Sequence, residues 1–89
     1  MDISHNLAEH RFQTEVDGVL AYVEYVPVAG GFTITHTIVP KAIGGRGIAG
    51  ALVKAALEYA QTQNFKVVPE CEYADVWMKR HPEFDALRA

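Results

Sequence analysis

The sequence predicts an α/β (α+β) domain of order β-β-β-α-β-α: an antiparallel three-stranded meander, then one parallel strand after a helix crossover. Three observations predict it. Residues 10–39 alternate in polarity with a period of two and are broken twice by turn residues. Residues 48–60 switch to three- and four-residue steps, the spacing of an amphipathic helix. A strand on each side of that helix then requires a crossover that leaves the two strands parallel.

Residues 1–8 are polar and are expected to fray. In the first strand Phe12, Thr14 and Val16 fall on one side, with Arg11, Gln13 and Glu15 on the other. Asp17-Gly18 follows, and both residue types tolerate the positive φ of a tight two-residue hairpin. Val19 to Val26 is β-branched and aromatic, and Pro27 is expected to end it by removing a ladder donor. Gly30-Gly31 makes the next turn. The third strand, Phe32 to Val39, has Phe32, Ile34, His36 and Ile38 on one side and Thr33, Thr35, Thr37 and Val39 on the other. After a loop from Pro40 to Gly45, the helix is expected from about Arg46 to Gln63, with Lys54, Glu58 and Gln61 on its wet face. Asn64 suits a left-handed C-cap. Phe65 to Val68 is the fourth strand, stopped by Pro69. Tyr73 to Arg80 reads as a short helix that turns Val76 and Trp77 inward and ends before Pro82.

With 89 residues, 49% hydrophobic and 21% charged, one folded domain over residues 1–89 is expected, with one core and one cleft. A chain of this size buries only about 60–65% of the surface it exposes when unfolded. A homodimer would cover part of what so small a sheet leaves exposed. The net charge of −3 disfavours nonspecific nucleic-acid binding. One cysteine excludes an intrachain disulfide, and the four histidines fall on separate elements without ligand spacing, so no metal site is expected. The apolar runs fall short of the ~18–20 residues of a membrane span. The start, Met1-Asp2-Ile3-Ser4-His5, lacks the basic-then-apolar layout of a signal peptide, which makes the cytoplasm the expected compartment.

Gly44-Gly45-Arg46-Gly47-Ile48-Ala49 stands between a strand and the amphipathic helix. The first N–H groups of a helix have no intrahelical partner, and the helix dipole makes that end partly positive. Glycines let the backbone wrap closely round phosphate oxygens, and Arg46 adds a charge-assisted contact. Taken alone, such a run is either an anion cradle or simply a turn. It lacks the Gly-Lys-Ser/Thr ending of a Walker A loop, and the antiparallel strands before it do not suit a dinucleotide fingerprint.

The hexapeptide resembles the acetyl-CoA motif of the GCN5-related N-acetyltransferase (GNAT) family, Gln/Arg-x-x-Gly-x-Gly/Ala, with Gly44 where Gln or Arg is usual. His36-Thr37-Ile38-Val39-Pro40, Pro69-Glu70-Cys71-Glu72-Tyr73 and Arg80-His81-Pro82-Glu83-Phe84 resemble a small GNAT subfamily of about this length. The resemblance runs from Phe12 to Leu87. It implies a minimal GNAT-like fold that binds acetyl-CoA (coenzyme A) and transfers its acetyl group to an amine, either a small amine or a peptide or protein lysine. It also implies that pantetheine lies by Ile38 and Val39, where the third strand splays from the fourth. The pyrophosphate would sit on Gly44, Gly45, Arg46, Gly47, Ile48 and Ala49, where Gly44 lacks the side chain that usually helps to hold it and the backbone N–H groups of Gly45 to Ala49 remain. Relative to longer GNAT enzymes, the first strand, two early helices and last strands are missing, which implies an acceptor site that is open or completed by another subunit.

The resemblance and its place after the fourth strand put Cys71 near the thioester. A cysteine there is either a nucleophile, favoured by a histidine or a helix N-terminus and opposed by Glu70 and Glu72, or a small buried hydrophobe. His36, on an apolar strand side, is either a hydrogen-bonded core residue or a base for an amine or for Cys71. Tyr73 either packs at a helix start or protonates the departing thiolate. Trp77, Phe84 and Tyr59 read as packing, His81-Pro82 as a helix stop, and His5 and His10 carry no readable role. Two rivals to an N-acetyltransferase stand beside it: a non-catalytic acyl-CoA-binding module, and a small interaction protein that keeps only the fold.

Overall fold

The computed structural model describes Met1–Ala89. A five-stranded sheet runs in spatial order β1-β2-β3-β4-β5. Its strands are β1 (Ser4–Asn6), β2 (Arg11–Val16), β3 (Val19–Val28), β4 (Gly31–Ile38) and β5 (Lys66–Pro69). β1 to β4 are antiparallel, and β5 lies parallel to β4 after helix α1 (Ile48–Gln63). Helix α2 (Glu72–Lys79) follows, and short 3-10 turns span Lys41–Ile43 and Pro82–Leu87. The α/β class, the meander and the parallel crossover strand are as expected. No helix is long and apolar enough to cross a membrane.

Four details differ from expectation. Residues 1–8 were expected to fray, yet Ser4, His5 and Asn6 pair with Gln13, Phe12 and Arg11. The His5 ring stacks on Phe12 with centroids 4.0 Å apart and bonds the Tyr25 hydroxyl, and Thr14 Oγ1 donates to the Asp2 carbonyl at 2.7 Å. A polar-looking segment docks because histidine offers an aromatic face as well as a polar edge. Second, Pro27 does not end β3. The β2 pairing stops at Glu24, so Pro27 sits where β3 has become an edge on that side, a position that tolerates a missing donor. Third, α1 begins at Ile48 rather than Arg46, because Gly45 and Gly47 both take φ of +74°, outside the helical region. Fourth, α2 buries Ala74 and Met78, leaving Trp77 half-buried and Val76 exposed.

The expected stripe on α1 does the packing. Leu52, Val53, Ala56, Leu57 and Ala60 are buried against Ala21, Val23, Phe32 and Ile34 of the sheet. Each fully buried leucine, valine or isoleucine contributes about 1.5–3 kcal/mol. Ala74 and Met78 of α2 join the same cluster, so both helices lie on one face of the sheet. Arg11, Tyr22, Glu24 and Ile38 fall on the opposite face. The C-terminal segment clamps α2: Arg88 Nη1 donates to Asp75 Oδ1 at 2.8 Å and Lys79 Nζ lies 3.0 Å from Asp75 Oδ2. The Arg88 hydrogen bond, then Lys79, holds the Asp75 carboxyl below its ordinary range.

Candidate functional site

A β-bulge in β4 organises the site. Tyr25 pairs with Ile34 and Glu24 with His36, so Thr35 is an extra residue on β4. Its hydroxyl donates to the Glu24 carbonyl at 3.2 Å. One extra residue exchanges the two faces of a strand. Phe32 and Ile34 face the core before the bulge, and after it Thr37, opposite the buried Val23, takes the core side. His36, expected beside Phe32 and Ile34, is therefore turned to the open face with Ile38. Its side chain is 63% exposed, with Nδ1 3.1 Å from Glu24 Oε1.

The same stretch opens a gap. β4 and β5 pair from Gly31↔Lys66 to Ile34↔Pro69, and Thr35 to Ile38 continue without a partner on the β5 side. The Cys71 N–H donates to the Ile34 carbonyl at 3.0 Å, just where the strands part. Cys71 is the N-cap of α2, half-buried, with Sγ 3.5 Å from Thr37 Oγ1. Of the two aids to a thiolate named above, the helix N-terminus is present. The histidine is not, because His36 is on the opposite sheet face.

Beyond the gap, β4 leads through Val39, half-buried on the core, and the Lys41–Ile43 turn into the glycine loop. Gly44, Gly45, Arg46 and Gly47 are exposed, Ile48 is buried and Ala49 is half-buried. Gly47 caps α1 with no side-chain hydrogen bond, and a Cβ on Gly45 or Gly47 would meet nothing within 4 Å. The loop thus combines left-handed backbone, open space and uncapped helical N–H groups, which fits an anion. Arg46 is engaged, its Nη1 lying 2.8 Å from Asp17 Oδ2 in an exposed ion pair. Such pairs contribute little and re-form readily.

Tyr73, in the first turn of α2, is 43% exposed, with its hydroxyl near Gly50 of α1. A Cβ on Gly50 would lie 3.4 Å from its hydroxyl and 3.0 Å from Trp77 Nε1, so Gly50 permits the two helix starts to approach. Trp77 stacks on His81 at 3.6 Å, and Phe84 is buried, both as packing residues.

Cys71, Tyr73 and the glycine loop thus gather on the helix side of the gap, with His36 on the other side. Thr37, Glu24 and Gly50 were missed. The pairs Thr37–Cys71 and Glu24–His36 are long-range, and only Gly50, one residue beyond the motif, carried a local signal. Two concavities, of about 250 and about 400 Å³, lie elsewhere, toward the C-terminal end of α1. Neither touches Cys71 or the loop, so the candidate site is an opening between strands rather than a pit.

The family described as GCN5-related N-acetyl-transferase matches residues 11–87, and the chain belongs to that family. Among its relatives, Protein NATD1 of Xenopus tropicalis is 34% identical over 87 residues, spanning 90% of this chain and 76% of that one. Protein NATD1 of Homo sapiens is 34% identical over 85 residues, spanning 90% of this chain and 74% of the relative. The solution structure of a GCN5-like protein from Staphylococcus aureus superposes with a TM-score of 0.78 at 26% identity, covering 99% of this chain and 87% of that one.

Proposed function

We propose that this protein is an N-acetyltransferase that consumes acetyl-CoA and acetylates an amine. The observation that carries the reading is the unpaired end of β4 leading into a glycine-lined, uncapped helix start. Acetyl-CoA supplies an activated acyl group, a thioester. The N–H groups of Gly45 to Ala49 bind its pyrophosphate, with Gly44 leaving the approach open and Arg46 exchanging Asp17 for phosphate. Ile38 and Val39 flank the pantetheine arm.

Two routes divide the remaining residues between the faces of the sheet. In direct transfer, His36 takes the proton of the attacking amine and the Tyr73 hydroxyl gives one to the leaving thiolate. In the covalent route, Cys71 Sγ, beside Thr37, bonds to the acetyl carbon as the bond to the CoA sulfur breaks, the CoA thiolate takes the cysteine proton, and the amine then displaces Cys71, which recovers a proton from it. Mass spectrometry after mixing with acetyl-CoA separates them: an acetyl adduct on Cys71 supports the covalent route, and full turnover by Cys71→Ala eliminates it.

The test of the cofactor site is calorimetric titration with acetyl-CoA. Wild type is expected to bind in the micromolar range, and Gly47→Glu to bind at least about 10-fold more weakly, because the carboxylate repels the anion. Gly47→Ala carries the same backbone cost without the charge and isolates that effect. No binding at millimolar ligand would overturn the reading. A non-catalytic acyl-CoA-binding module is the second reading, favoured by Gly44 and by the Arg46–Asp17 pair. It predicts binding with no CoA release across a panel of amines.

A further inference from the structure

The bulge leaves one feature that the cofactor site does not absorb. On the open face of the sheet, Arg11, Glu24 and His36 form one cross-strand row, with Arg11 opposite Glu24 and Glu24 opposite His36. The next row is Gln13, Tyr22 and Ile38. Arg11 is already occupied, its guanidinium 4.7 Å above the Tyr22 ring and its Nε donating to Gln13 Oε1 at 3.1 Å. Glu24 is left to His36. With Nδ1 at the Glu24 carboxylate, the ring keeps Nε2 as its free nitrogen. No helix covers this face, and Ile38, beside the gap, is 41% exposed.

We propose that Glu24 is the positioning residue for His36, and that this pair marks the open sheet face as the side on which a primary-amine acceptor reaches the strand gap. The inference rests on the acetyltransferase reading. A carboxylate fixing one ring nitrogen sets the tautomer that leaves the other as a base. The same carboxylate attracts a cationic amine to an opening beside the apolar Ile38 and the aromatic Tyr22. The bound ammonium first gives one proton to solvent, and the neutral amine nitrogen then bonds to the acetyl carbon as the carbon–sulfur bond breaks. The amine proton goes to His36 Nε2, and the thiolate takes its proton from the Tyr73 hydroxyl or solvent. Cys71 and Thr37, on the helix side, are not needed for this approach.

The experiment uses n-butylamine as the acceptor probe and three readouts on the full chain. In ¹H–¹⁵N spectra of the acetyl-CoA complex, n-butylamine is expected to shift Tyr22, Glu24, His36 and Ile38. Shifts centred on Thr37 and Cys71 instead would overturn the inference. In imidazole ¹⁵N spectra, wild-type His36 is expected in the Nδ1–H tautomer, and Glu24→Ala is expected to lose that preference. An unchanged tautomer would overturn the role of Glu24. In a double-mutant cycle on CoA release, His36→Ala is expected to lower kcat about 100-fold and Glu24→Ala about 10-fold, with Glu24→Gln partly restoring it. Adding Glu24→Ala to His36→Ala is expected to cost nothing more, as for residues that act as a unit. Additive losses would overturn the proposal, as would a wild type that binds acetyl-CoA but releases no CoA with the probe. Failure to bind acetyl-CoA at all would instead remove the acetyltransferase reading beneath it.

Discussion

At the C-terminal end of α1, Asn64 takes φ of +58° and its N–H bonds the Ala60 and Gln61 carbonyls, which closes the helix on itself. Around that end His5, Phe12, Tyr25, Phe32, Tyr59 and Phe65 form a continuous set of ring contacts between 4.0 and 6.4 Å. At the N-terminal end, Gly47 caps the helix without a side-chain bond, the neighbouring strands part, and Cys71, Thr37 and Tyr73 gather at the opening. One end spends its side chains on packing. The other leaves backbone N–H groups at an exposed loop of glycines.

This comparison predicts where substitutions hurt most. Gly31 stands at the closed end, and a Cβ there would lie 1.8 Å from the Lys66 carbonyl oxygen. Gly31→Ala is expected to cost about 3 kcal/mol or more in urea denaturation, because backbone on both sides must move. Gly45 stands at the open end, also without a side chain, but its Cβ would meet nothing within 4 Å. Gly45→Ala is expected to cost only about 1 kcal/mol, the strain of a left-handed alanine. Equal losses would mean that the loop is a packed element, and the distinction between the two ends would fail.

The smallest effect concerns pH. Burial, and then the nearby His10, holds the His5 imidazole below its ordinary value of 6.5. The folded state therefore binds a proton less readily than the unfolded chain. The stability that neutral His5 contributes is fully present above pH 6.5 and is lost as pH falls through the lowered value. Denaturation at a series of pH values is expected to show this decline, and His5→Phe to flatten it. Burial, and then Tyr59, pushes the Tyr25 phenol upward, so Tyr25 stays protonated and remains a partner for His5 across this window. If His5→Phe leaves the acid limb unchanged, β1 is docked by its backbone rather than by its ring.

Much of the architecture was legible from local chemistry. The Asp17-Gly18 turn takes positive φ at both residues, and Asn64 is the left-handed cap that its residue type suggested. The α1 stripe is buried as its spacing required, with Ala49 alone half-buried. The glycine loop was readable because its chemistry lies in consecutive residues. His36 shows the limit. Alternation counted from Phe32 puts it on the core side, and the count is correct up to Ile34. The extra residue, Thr35, is defined only by the pairing of β4 with β3, so no periodicity within β4 reveals it.

The sequence by itself therefore determined the class of fold, the order of its main elements, the glycine-lined helix start and the family to which the chain belongs. Each depends on residue preferences within a few positions along the chain. Only the tertiary structure decided that residues 4–6 form a strand, that Thr37 rather than His36 meets Cys71, and that Glu24 holds His36 on the open face. Those outcomes depend on strand register and on contacts between residues up to 34 positions apart, where the side chain that wins is the one the neighbouring strand leaves room for.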